Sequence, residues 1–413
     1  MAKAVNQCKF FIIFLFCGSL FLIWKHQNDI QLASSHTDES HHILSKKNAT
    51  TSLNNHPECP DILRGMAYGW WKLNPLTPGQ TTEMRTFLQT ARTQHGLPIS
   101  LQRNDFICGN TSFPTHLSPT ITWFRALCDP YGPTPCCFNN KCVQKSIQEC
   151  KCDNCFDMRQ PPHAEYSEWI PYDQRCKIKK FNHSEACELL DGAAIYLSGD
   201  SYIRHIYTEL LLFLRNNTYD GALRKRVGKD IHDKCTGMYM FTEMACRLNL
   251  DYSTEDLCGG KLRLKHDTHM SAYHGKSFSS MVATLVNKPK SLVIFGIGLH
   301  NSFHLPTIRD GYIKPALDGV KKSKWPKFLW ASPHSPGILK NGNMQSQAKP
   351  SVLKFIKEIA DFLSPLKIPI FNSYNMTEGM MSFDGNHYGH GMNYWKIQII
   401  FNYIQELKDT GNW

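Results

Sequence analysis

The chain has 413 residues, 42% apolar and 20% charged, a globular composition that excludes a disordered tail protein. A net charge of +11 is spread along it, and the basic runs Arg224-Lys225-Arg226 and Lys321-Lys322-Ser323-Lys324 are short. They read as solvated surface first and attraction to acidic glycans second, with no nucleic-acid partner expected, and 16 cysteines exclude an ordinary protein of a reducing compartment.

Phe10 to Trp24 is an apolar run, preceded by Lys3 and Lys9 and followed by Lys25-His26. A cleaved signal peptide needs an apolar region of about 7–15 residues and a small-residue cleavage site. A spanning helix needs about 17–25 residues. No such cleavage site follows, so residues 10–24 are expected to be a signal anchor, with 1–9 a cytosolic tail. The orientation follows the positive-inside bias. The short, Phe-rich span suits the thinner membranes of the endoplasmic reticulum or Golgi. Were the segment cleaved, the body would be secreted. Sequons at Asn48, Asn110, Asn182, Asn216 and Asn375 agree with a luminal body carrying glycans.

Residues 25–58 are rich in Ser, Thr, Asn and His and read as a luminal stem that need not fold. From Cys59 to Asp191 the chain is dense in cysteine and turn residues. A zinc site on Cys150, Cys152 and Cys155 competes here with disulfide staples. In an oxidising lumen the staple is the better reading.

Residues 192–413 alternate short strands with helices. Strands are expected at Ala193–Ser198, Lys261–Lys265, Ser291–Phe295, Phe328–Ala331 and Ile368–Phe371. Helices are expected at Ser201–Leu214, Phe278–Val286, Val352–Leu363 and Trp395–Leu407. This alternation implies a parallel sheet covered on both faces, a three-layer α/β/α sandwich. In such sheets ligands sit beyond the carboxyl ends of the strands.

Gly199-Asp200-Ser201 stands between the first of these strands and the first helix. A serine there sits where unpaired backbone N–H groups can hold an oxyanion. Alone, the tripeptide reads as a helix cap. Asp384-Gly385-Asn386-His387 lies near the C-terminus, before the closing helix. A serine nucleophile needs a base, and the base needs a carboxylate to hold its tautomer. In a D-x-x-H turn, Asp384 can take one imidazole nitrogen of His387 and leave the other for Ser201.

In this order and spacing the chain resembles the SGNH, or GDSL, hydrolase superfamily. The likeness is closer to its PC-esterase branch, which includes plant trichome-birefringence-like polysaccharide O-acetyltransferases and the animal neurexophilin-and-PC-esterase group. It is carried by Arg159, Tyr166, Trp169, Pro171, Cys176, Phe181, Leu190, Gly192, Gly199-Asp200-Ser201 and Arg204. It covers about residues 150–215, 291–301 and 383–407. The chain departs from the plant pattern in having His205-Ile206 after Arg204, and it lacks the Cys and Trp that flank the plant histidine. The resemblance implies a flavodoxin-like strand order, with the disulfide-rich segment wrapped around the sheet.

It also implies an oxyanion site of the Ser201 N–H, Gly298, and a side-chain donor from Asn301 or His300. Asp200 and Arg204 are expected to support the turn. His266, His269 and His274 fit no strong zinc spacing, so no metal is expected, and the chemistry requires no cofactor. The implied function is acyl transfer, by family default acetyl, to or from glycan hydroxyls. A Golgi O-acetyltransferase fits membrane anchoring best, with the acetyl group delivered by a separate membrane protein. An acetylesterase is the alternative, and an inactive glycan-binding ectodomain the second.

Overall fold

The computed structural model describes residues 59–413 except 95–99, 110–123, 153, 158, 160–162, 243 and 341–344. The expected tail, anchor and stem, with the sequons at Asn48 and Asn110, lie outside the described residues. Among the described residues no helix is long and apolar enough to cross a membrane.

The N-terminal half of the described chain carries α1 (Ile62–Ala67), β1 (Gly69–Leu73) and α2 (Pro78–Gln94), then β2 (Cys136–Phe138), β3 (Lys141–Val143), β4 (Cys155–Asp157), β5 (Ser167–Pro171) and α3 (His183–Leu189). β1 pairs antiparallel with β5, and β3-β2-β4 form a small separate sheet. The αβ half begins with β6 (Ala194–Gly199) and α4 (Ser201–Leu214). It continues with β7 (Ser253–Leu257), β8 (Leu262–Thr268), α5 (Gly275–Ala283), β9 (Ser291–Gly296) and β10 (Lys327–Ala331). It ends with α6 (Lys349–Leu363), β11 (Ile370–Phe371) and α7 (His390–Asp409).

These strands form one six-stranded sheet in the order β11-β10-β9-β6-β8-β7. All are parallel except β7, which runs antiparallel to β8 at the edge. Without β7, and counting from β6, the order is 2-1-3-4-5, the flavodoxin-like order. Successive side chains of a strand face opposite sides. Accordingly Leu292 and Ile294 of β9 join one core with α4 and α7, while Val293 and Phe295 join a second with α5 and α6. Both faces are therefore covered, and every residue of β9 is buried.

All fourteen cysteines from Cys59 onward are bridged: 59–176, 108–137, 128–142, 136–150, 152–155, 187–258 and 235–246. Cys150, Cys152 and Cys155 are thus disulfide staples.

Four details differ from the sequence expectations. The edge strand β7 was not foreseen, because Ser253-Thr-Glu-Asp-Leu257 has no apolar alternation. α5 starts at Gly275, earlier than expected. A side chain there would meet the Gly311 carbonyl oxygen at 1.7 Å, so this glycine permits a close crossing and is no helix breaker. α7 starts at His390, earlier than the expected Trp395. Finally, the Cys-rich segment does more than wrap. Leu63, Phe87, Trp169 and Phe181 share the core of α4 and α7. Gln398 and Asn402 of α7 pair by their side-chain amides with the backbone of Phe181 and Lys179 at 2.7–3.2 Å.

Candidate active site

β6 ends at Gly199, flanked in register by Gly296 of β9 and Thr268 of β8. The sheet reverses its winding between β6 and β9, and a crevice opens at such a point beyond the carboxyl ends. The strands approach closely there. A Cβ on Gly199 would lie 2.1 Å from the Gly296 oxygen, so glycine is required.

Asp200 caps α4, its Oδ1 accepting from the Tyr202 N–H at 3.1 Å. Burial pushes its carboxyl up to about 6. Ser201 is then the first helical residue, with its N–H free of intrahelical bonding. Its Oγ donates to His387 Nε2 across 2.5 Å. His387 Nδ1 donates to Asp384 Oδ2, also at 2.5 Å. Asp384 Oδ1 accepts from the backbone N–H groups of Asn386 and His387 at 2.9 and 2.8 Å. Both carboxylate oxygens are thereby committed, and the imidazole is held as the tautomer whose free nitrogen faces the serine. Gly385 makes the turn possible with φ of +91°.

Of the expected oxyanion groups, Gly298 is buried, and a Cβ would strike the Phe303 ring at 2.7 Å. Asn301 Oδ1 accepts from the Ala272 N–H at 3.0 Å, which leaves Nδ2 as its donor. His300 is exposed. Arg204 is buried one turn after Ser201. Its Nη2 reaches His205 Nε2 at 3.5 Å, Nη1 has no partner among the described residues, and burial brings it down to about 10.

The histidines at 266, 269 and 274 do not gather around one point. His269 Nδ1 bonds Ser198 Oγ and Tyr312 Oη at 2.8 and 3.0 Å, with His274 stacked on its ring. His266 lies against the rings of both Tyr207 and Tyr252. Of the sequons, Asn182 and Asn216 are exposed. Asn375 is half-buried, its Oδ1 accepts from Gly69 at 2.8 Å, and Thr377 of the same sequon is fully buried.

Four supporting side chains escaped the sequence reading as site residues. His334 donates from Nδ1 to the Asn386 carbonyl at 3.0 Å and accepts at Nε2 from Lys396 Nζ at 2.5 Å. Its ring lies 4.1 Å from that of Tyr202. Lys396 is fully buried, which brings its ammonium down to about 7. Lys340, held down to about 8 by burial, donates to the Asn386 side-chain oxygen at 3.1 Å. His205 donates from Nδ1 to the Tyr388 carbonyl at 3.3 Å, with its ring 5.0 Å from that of His387. His334 follows the carboxyl end of β10, and that position was its one signal. A lysine inside an apolar helical run carries none.

No family model and no curated protein matches the chain. Among solved structures it is similar to a lipolytic G-D-S-L protein from Veillonella parvula, at 10% identity and a TM-score of 0.29 over 51% of this chain and 96% of that one. It is also similar to a carbohydrate acetylesterase from Sinorhizobium meliloti, at 15% and 0.31 over 52% and 99%. The third is an aryl esterase from M. smegmatis, at 16% and 0.29 over 52% and 99%. At such scores these are likenesses only. The class is defined by the chain's own sheet order and side-chain geometry: a serine-hydrolase-type site on a flavodoxin-like α/β/α sandwich.

Proposed function

We propose that the chain transfers an acyl group, most simply acetyl, to a glycan hydroxyl through Ser201. The observation that supports this reading is the continuous bonding from Ser201 Oγ through His387 to Asp384. His387 Nε2 takes the Oγ proton as Ser201 attacks an ester carbonyl, and Asp384 stabilises the imidazolium. The Ser201 N–H, Asn301 Nδ2 and the Gly298 region are the proposed holders of the oxyanion. Collapse expels the donor's leaving group with the proton from His387 and leaves an acyl-serine. An acceptor hydroxyl then gives its proton to His387 and takes the acyl group.

With a sugar hydroxyl as acceptor the protein is an O-acetyltransferase, and with water an acetylesterase. The expected N-terminal anchor and the glycan-building compartments it implies favour the transferase, with a Golgi or endoplasmic reticulum location. A separate membrane protein then supplies the acetyl donor.

Intact mass of the luminal body after brief exposure to p-nitrophenyl acetate tests this reading, with Ser201→Ala as control. One added acetyl that is absent from the control is expected. No adduct on folded protein would overturn the acyl-transfer reading in favour of a glycan-binding ectodomain.

A further inference from the structure

A cleft of about 860 Å³ opens in the Cys-rich segment beside α2, a volume suited to a small organic ligand. Leu88, Leu101 and Met381 give it apolar walls, and Arg85, Arg92 and His163 line it. The charges there are unbalanced. Arg159 also lines the cleft, but Asp157 neutralises it at 2.7 Å. Arg85 lies over the Tyr131 ring, 4.0 Å from its centre. Arg92 differs, because its Nε is buried with no acceptor among the described residues. Burial brings its guanidinium down only to about 10, so it stays charged at neutral pH. His163 beside it is held down to about 4 by burial and by the Arg92 charge, and it remains a neutral hydrogen-bonding group.

Arg92 is half-buried, and a guanidinium with one buried N–H unsatisfied and no carboxylate partner among the described residues can take an anion that enters the cleft. The balance also sets the anion's size. One half-buried guanidinium with no carboxylate partner among the described residues, beside a neutral imidazole, matches a single carboxylate, to which Arg presents a planar fork. A pyrophosphate or polysulfate brings more charge than the cleft neutralises, and Asp129 in the lining opposes it. The cleft adjoins the catalytic turn. Met381 is followed by Ser382, whose Oγ accepts from the Gly385 N–H at 3.0 Å, and then by Phe383 and Asp384. Leu101 and Leu127 pack on Leu339, the neighbour of Lys340.

We propose that this cleft binds the carboxylate of an acidic sugar unit in the glycan acceptor, with Arg92 as its counter-ion; this rests on the glycan acyl-transfer reading of Ser201. Binding is measured by calorimetry on the Ser201→Ala protein, so turnover plays no part. The probes are tetrasaccharides of hyaluronan and of polygalacturonate, neutral chitotetraose, and acetyl-coenzyme A. At least one carboxylated probe should bind, and Arg92→Gln should weaken it at least about tenfold while Arg92→Lys falls between. Chitotetraose should bind more weakly and not respond to Arg92.

A melting curve without ligand is the second readout. Removing a half-buried charge that has no carboxylate partner among the described residues should leave the midpoint unchanged or raise it, whereas a structural role for Arg92 would lower it. The proposal is overturned if no carboxylated probe binds, if Arg92→Gln binds as well as its parent, or if acetyl-coenzyme A is the ligand that depends on Arg92. Carboxylate binding that survives in a protein forming no Ser201 adduct would sink the acyl-transfer reading and leave the cleft standing.

Discussion

At the scale of single residues the site is a set of committed hydrogen bonds, and each makes a prediction. Ser201→Ala and Asp384→Asn should each lower the rate of acyl release by about a thousandfold or more, with folding intact by circular dichroism. Lys396 offers a different readout, because it is buried with a neutral imidazole as its partner. Its ammonium is brought from 10.5 to about 7. A depressed folded-state value means that its contribution is complete above 10.5 and is lost as pH falls through about 7. Lys396→Met should therefore gain stability relative to the parent as pH falls across that window, and the difference should level off below it. Urea unfolding at several pH values measures this, and a flat difference would refute it. The triad was legible in the sequence because G-D-S and D-x-x-H carry their partners within a few residues. Lys396 and His334 were not, since 62 residues separate two side chains that meet only inside the fold.

At the scale of elements, the closing helix α7 positions the catalytic turn that precedes it. His390 opens that helix and bonds Glu209 of α4 at 2.9 Å. The Glu209 charge raises its imidazole from 6.5 to about 9, against burial. A raised value means stability complete below 6.5 and lost as pH rises through about 9. His390→Gln should thus be most destabilising in mildly acidic solution and nearly neutral above that window, as thermal melts at graded pH would record. The turn after β9 makes a steric prediction. Gly298→Ala should abolish the Ser201 adduct, because the new methyl group meets the Phe303 ring. Pairing it with Phe303→Leu should restore part of the adduct. The elements themselves were largely legible, from periodicity in α4 and α6 and from apolar runs in β6, β9 and β10. α7 was read from Trp395, five residues late, because its first turn carries the polar yet buried Asn393, whereas the buried Lys396, Gln398 and Asn402 fall inside the expected helix. Asn393 bonds the Tyr388 and Gly389 carbonyls before the helix, the partners of the other three come from the Cys-rich segment and from His334, and periodicity within one helix cannot report them.

At the scale of the whole molecule, the Cys-rich half is part of the same core. The bridge from Cys59 to Cys176 closes 117 residues and ties α1 to the chain leading into α3. Gly65 of α1 makes room for it, since a Cβ there would lie 2.3 Å from Cys176 Sγ. Replacing both cysteines by serine should cost about 2–5 kcal/mol in unfolding free energy, seen as a shifted urea midpoint. Below that midpoint the Ser201 adduct should still form.

The sequence by itself determined the class of fold and picked out the residues of the candidate site. A nucleophile motif at a strand-to-helix turn, an acid–base pair before the last helix, and strands alternating with helices are all local patterns, readable over a few residues. It also indicated an oxidising compartment through its cysteines. Only the tertiary structure decided the seven pairings, the lysine and histidine beside the Asp384–His387 turn, and the cleft lined by Arg92. Each of these depends on which distant segments share a desolvated space. Burial turns an ordinary lysine or arginine into a group that must find a partner, and a linear sequence does not record burial.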